Sequence, residues 1–133
     1  MSTPREVISI PKSVVLHVYR DAYAMLAGAT EEMRGLVERL DCELHPERFT
    51  GPLQRFDRGR GFLDALGWQL PDGEAHVGVE QRQVLLDVLS TATATQTDLL
   101  ESGRKDGIDW KSEHEMAHEL AELVAFTAAV RDL

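Results

Sequence analysis

The chain has 133 residues, 43% hydrophobic and 28% charged, with a formal net charge of −9. That balance belongs to an ordinary globular chain with a real core rather than to a disordered one, and the length is that of one domain, residues 1–133. The acidic excess repels phosphate backbones and anionic lipid, so general nucleic-acid and membrane binding are excluded as expected partners. Arg55, Arg58 and Arg60, with Arg48, form the only basic cluster, and pairing with the chain's own carboxylates is its expected role.

No uncharged run approaches the roughly 20 residues of a membrane span, and the first residues carry no secretory pattern, so a cytoplasmic protein is expected. Cys42 is the single cysteine. It excludes an intrachain disulfide and a cysteine-based zinc cluster, and it is read as a structural or surface thiol.

In chain order, Val7 to Ile10 is a short strand candidate. From about Ser13, the spacing of Val15, Tyr19, Ala22 and Leu26 predicts a helix with one buried stripe. His17 lies off that stripe, one turn before Asp21, and is expected to be solvated and paired with that carboxylate. Gly28 then interrupts the pattern, and Thr30 followed by Glu31 and Glu32 reads as a fresh N-cap for a second helix to about Leu40, unless the two are one long helix broken at Gly28.

Residues 42 to 52 read as a loop, with His45 held out of helical geometry by Pro46. Leu53, Phe56, Leu63 and Leu66 give a weaker helix, with a break expected at Gly59 and Gly61 and a cap at Gly67. Ala75, Val77 and Val79 alternate after the Pro71-Asp72-Gly73 turn, and Val7 to Ile10 is the one evident partner for such a strand. Leu85, Val88, Ala92, Thr95 and Leu99 mark another helix, ended by Gly103. Asp106 and Asp109 in the following connector fall short of a calcium loop.

The last helix carries Met116, Leu120, Leu123, Thr127 and Val130 on one stripe, widened by Ala117, Ala121, Val124 and Ala128. Ser112 and Glu115 form the pattern of a capping box at its start, which gives Glu115 a structural role. The sum is an all-α antiparallel helical bundle of four to five helices with room for a minor two-stranded β element. Stripes repeating near 3.5 residues suit coiled-coil-like packing inside the chain or across a homodimer.

Residues 114 to 118 read His-Glu-Met-Ala-His. One turn apart on a helix, His114 and His118 can reach one Zn²⁺, and Glu115 could poise a metal-bound water. The five residues resemble the zincin signature, which implies a metal-dependent hydrolase with Glu115 as its catalytic base. A helical bundle with this pair on its last helix also resembles the DinB-like metal-binding bundles. That likeness implies Zn²⁺ or Ni²⁺, a third histidine, His45 or His17, and a thiol-dependent transfer reaction. Because no set of polar residues visibly converges, the expected function is a non-catalytic interaction or assembly module, a homo-oligomer and most simply a dimer, with no cofactor expected.

Overall fold

The computed structural model describes residues 6–40, 45–68 and 71–133. Strand β1, Val7–Ile10, leads into helix α1, Lys12–Glu38. A 3₁₀ turn, Pro46–Phe49, opens α2, Thr50–Leu66, and strand β2, Ala75–Gly78, passes through a second 3₁₀ turn into α3, Arg82–Asp106, and then α4, Trp110–Arg131. The fold is mainly helical, four helices with a small antiparallel sheet. The sheet pairs the two alternating segments, with Ile8 opposite Val77 and Ile10 opposite Ala75. These four face inward, while Ser9 and His76 face out and share a 3.1 Å hydrogen bond.

Two helix pairs run antiparallel. The Tyr19 hydroxyl donates to the Leu66 carbonyl at 2.9 Å and the Tyr23 hydroxyl to that of Trp68 at 2.8 Å, fixing α1 to the end of α2. Further along, Arg55 pairs with Glu32. Arg82 donates to the carbonyls of Val130 and Arg131, so a cation at the start of α3 satisfies the last carbonyls of α4. Arg104 and Glu113 close the other end of that pair at 2.7 Å. Between the pairs lies one core, which includes Val14, Val18, Phe62, Leu63, Leu85, Leu89 and Leu123. Arg55 and Arg58 are paired with Glu32 and Asp87, as expected of the basic cluster.

Several predicted breaks are not breaks. Helix α1 is continuous, because Thr30 donates its hydroxyl to the Leu26 carbonyl at 2.8 Å within the helix instead of capping a new one. Helix α2 passes through Gly59 and Gly61. A side chain at Gly59 would come within 3.2 Å of the Met25 sulfur, so the glycine lets α1 and α2 approach closely, which offsets its low helix propensity of about 1 kcal/mol. Gly103 is likewise buried inside α3, against Ile108. The helix ends at Gly107, whose φ of 79° is the left-handed turn that glycine adopts freely. Gly67, with φ 98°, caps α2 as its position predicts.

The start of α4 is also displaced. Asp109 is the N-cap, its carboxylate accepting from the Ser112 backbone N–H at 2.9 Å and from the Ser112 hydroxyl at 2.9 Å. The expected Ser112–Glu115 capping box is therefore replaced, since a carboxylate three residues upstream already takes the N–H that such a box would use. Cys42 lies outside the described residues. No helix among the described residues is long and apolar enough to cross a membrane.

Candidate functional site

Helix α4 presents two polar faces of opposite character. On the outer one, the His114 ring stacks on Trp110 with centroids 5.2 Å apart and planes 13° from parallel. His118 Nε2 lies 2.6 Å from the Glu122 carboxylate one turn on. Both histidines are exposed and so is Glu115. The solvent-facing placement follows from the 100° step of the helix, which turns these residues away from Met116, Leu120 and Leu123.

The other candidate ligands lie elsewhere. His45 is exposed, with Nδ1 3.4 Å from the Glu47 carboxylate. His17 is in the seam between α1 and α4. Among the described residues no three His, Cys, Asp or Glu side chains are grouped to hold a metal ion. The zinc or nickel geometry implied by His114 and His118 therefore has no third protein ligand from that set.

The inner face holds what the sequence hid. His17 is only 7% exposed, and its Nε2 faces the Glu119 carboxylate at 3.6 Å. The expected solvated pairing with Asp21 is corrected: both residues are buried, Asp21 is bound by Arg20 at 3.0 Å, and the carboxylate facing His17 arrives from a helix a hundred residues away. Glu119 also accepts from the Gln96 amide at 3.1 Å, and the same amide reaches the Met116 carbonyl at 3.3 Å. One residue from each of α1, α3 and α4 thus meets in a single polar seam.

His17 Nδ1 is buried without a hydrogen-bond partner. A carboxylate on the Nε2 side favours the proton there, leaving Nδ1 as a bare lone pair in the interior. Burial and then the Arg20 charge push the His17 pKa below its ordinary 6.5, against the opposing pull of Glu119 and Asp21. The ring is neutral at pH 7. His17 and Gln96 are buried in the seam, whereas the Glu119 side chain is 48% exposed at its edge.

Gln96 and Trp110 were not singled out by the sequence, although a signal for Gln96 exists. Extending the α3 stripe at 3.6 residues per turn from Leu85 through Leu89 and Ala92 lands on Gln96 and Leu100, both buried, whereas the 3.5-residue reading drifts to Leu99, which is 47% exposed. Trp110 is 76% exposed at the first position of α4. The residues read as widening the α4 core stripe are corrected too: Ala121, Val124 and Ala128 are exposed and Ala117 is half-buried. They stand about 110° from the centre of the buried stripe, on the groove side facing away from α1.

Compared with protein-family models, curated proteins and solved structures, the chain matches none. The likeness to zincins and to DinB-like bundles therefore rests on the α4 histidines alone.

Proposed function

We propose that this chain is a non-catalytic assembly module of the cytoplasm that pairs with a second copy of itself through the outer face of α3 and α4. The observation that carries this reading is the exposed row of Ala121, Val124 and Ala128, with Ser90 and Ala94 of α3 beside Val124, small and uncharged where a solvated face would carry charge. Helices of 25 and 22 residues offer a face about 30 Å long and about 20 Å wide, roughly 600 Å² per copy. Doubled, that reaches the lower end of specific interfaces, about 1,200 Å² in total. Small side chains let two backbones approach closely, which compensates for the modest bulk of each contact.

Sedimentation equilibrium of the purified chain should give a monomer–dimer equilibrium in the micromolar range, and Ala121→Glu should return it to monomer without loss of helical signal. A chain that stays monomeric into the sub-millimolar range overturns the proposal.

A second reading attaches to the same helix. His114 and His118 are exposed one turn apart, within reach of one Zn²⁺ or Ni²⁺ once His118 leaves Glu122, although the third histidine that a DinB-like site would require, His17 or His45, would have to move to join them. Added Zn²⁺ should then raise the melting temperature at neutral pH, and a chelator should reverse the rise. Peptide hydrolysis abolished by chelation and by Glu115→Ala would turn this into the zincin reading. No thermal shift with either metal removes both.

A further inference from the structure

The chain has no asparagine, and glycine follows aspartate twice, at Asp72–Gly73 and at Asp106–Gly107. These two bonds share one reactivity. The glycine backbone nitrogen attacks the acid form of the aspartate side-chain carboxyl, the carboxyl hydroxyl leaves with the amide proton as water, and a five-membered succinimide closes. Water then adds back at either carbonyl. Addition at Cγ restores aspartate, whereas addition at the main-chain carbonyl carbon leaves the peptide running through Cγ and frees the α-carboxylate, which is isoaspartate. Mass and charge are unchanged and no oxidant or cofactor takes part. Glycine admits the attack most readily because no Cβ stands beside its nitrogen.

The fold treats the two bonds differently. Asp106 is the last residue of α3, and the Gly107 N–H donates to the Arg104 carbonyl at 3.3 Å. The Ile108 N–H donates to the Gly103 carbonyl at 2.9 Å and closes the same turn. Ring closure at Asp106 would swing the following peptide plane away from the helical ψ of about −42° and break both hydrogen bonds. Asp72–Gly73 lies instead in a bend between α2 and β2, with Asp72 exposed. The Gly73 N–H makes no backbone hydrogen bond with another described residue, so neither a helix nor a ladder holds it. A Cβ built at Gly73 meets no described neighbour within 4 Å, which leaves the bond room to turn.

We propose that Asp72–Gly73 is a spontaneous modification site of the folded chain, converting through the succinimide to an isoaspartyl linkage, while the fold holds Asp106–Gly107 in its aspartyl form. The position tolerates the product. Isoaspartate adds one atom to the backbone path, and Gly73 and Glu74 separate that atom from Ala75, where β2 begins opposite Ile10. An exposed turn absorbs such an insertion, and the strand register stays pinned by buried Ala75 and Val77. The α-carboxylate is released on an exposed residue of a chain that is still folded. That makes the aged chain a substrate for a carboxyl methyltransferase that accepts isoaspartate, the methyl group passing from the sulfonium of S-adenosylmethionine to a carboxylate oxygen as the donor leaves as a thioether.

Ageing the purified chain for several weeks at physiological temperature and neutral pH tests the site. Peptide mapping with electron-transfer fragmentation distinguishes aspartyl from isoaspartyl peptides of equal mass. Isoaspartate at Asp72 should exceed that at Asp106 by about tenfold or more, the scale of losing two backbone hydrogen bonds on ring closure. In guanidinium the two positions should convert to similar extents, because the fold no longer separates them. Asp72→Glu, whose ring would have six members, and Gly73→Ala, whose methyl the open space accommodates, should each lose most or all of the Asp72 signal while keeping the helical circular dichroism. An isoaspartate carboxyl methyltransferase with labelled S-adenosylmethionine should label the aged wild type and neither aged variant. Equal conversion of the two positions in the folded chain, or a preference for Asp72 that persists in guanidinium, overturns the role assigned to the fold. Absence of isoaspartate at Asp72 in the aged folded chain overturns the site itself.

Discussion

The inner and outer faces of α4 use the same residue types to opposite ends. Inward, a histidine from α1 meets Glu119 and Gln96 in a seam where the imidazole itself is buried, and its ring is held neutral. Outward, His114 and His118 sit in solvent with an indole and a carboxylate beside them. The difference teaches that a histidine's role in this fold is set by the helix that packs over it and not by its neighbours in sequence. His-x-x-x-His drew attention to the outer pair, while the histidine with a tertiary partner was His17.

The comparison is broken most directly by truncating each face. Leu123 is completely buried at the centre of the inner stripe, so Leu123→Ala should cost about 2–5 kcal/mol in urea denaturation. His118→Ala on the outer face should stay within about 0.5 kcal/mol. Comparable losses would mean that the two faces are not distinct.

Acid sharpens it next. The groups facing His17 are Arg20 and Asp21 on its own helix, Gln96 on α3 and Glu119 on α4. Because its folded pKa lies below 6.5, the unfolded chain binds a proton there that the folded chain refuses, so stability falls as pH drops below about 6.5. His17→Leu removes the unpaired Nδ1 and its titration together. Unfolding midpoints measured between pH 7 and pH 5.5 should fall for the wild type and fall less for that variant; equal slopes would place the acid sensitivity elsewhere.

The fold was readable from sequence where the signal was periodic and local. Ile8, Ile10, Ala75 and Val77 alternate, and they pair; Val15, Tyr19 and Ala22 repeat at helical spacing, and they are buried. It was unreadable where a distant contact decided the outcome. Gly59 looks like a helix breaker until Met25 packs over it, and Gly103 until Ile108 does. His17 looks solvated while only Asp21 is in view, because Glu119 reaches it through the packing of α1 on α4. The alanines of α4 look like core because small apolar residues cannot by themselves say which side of a helix a neighbour occupies. Of the sequence-selected site residues, His114, Glu115 and His118 share the exposed outer side, and the fold places His17 and His45 apart from them.

The smallest expected effect separates the two roles available to Glu115. Asp109 holds the first turn of α4 through the Ser112 N–H and hydroxyl, and those hydrogen bonds, the backbone one foremost, pull its carboxyl pKa below the ordinary value. A depressed carboxyl contributes stability that is present above its unfolded pKa and is lost as pH falls through its folded one. Asp109→Ala should therefore lower the melting temperature at neutral pH, and the gap to wild type should close in acid as the carboxyl protonates. Glu115→Ala should leave the melting temperature nearly unchanged, because the cap is already complete without it. A larger loss from Glu115→Ala than from Asp109→Ala would restore the Ser112–Glu115 box and move the start of α4 past Trp110. That shift would in turn leave Trp110 outside the helix and remove the geometry that stacks its ring on His114.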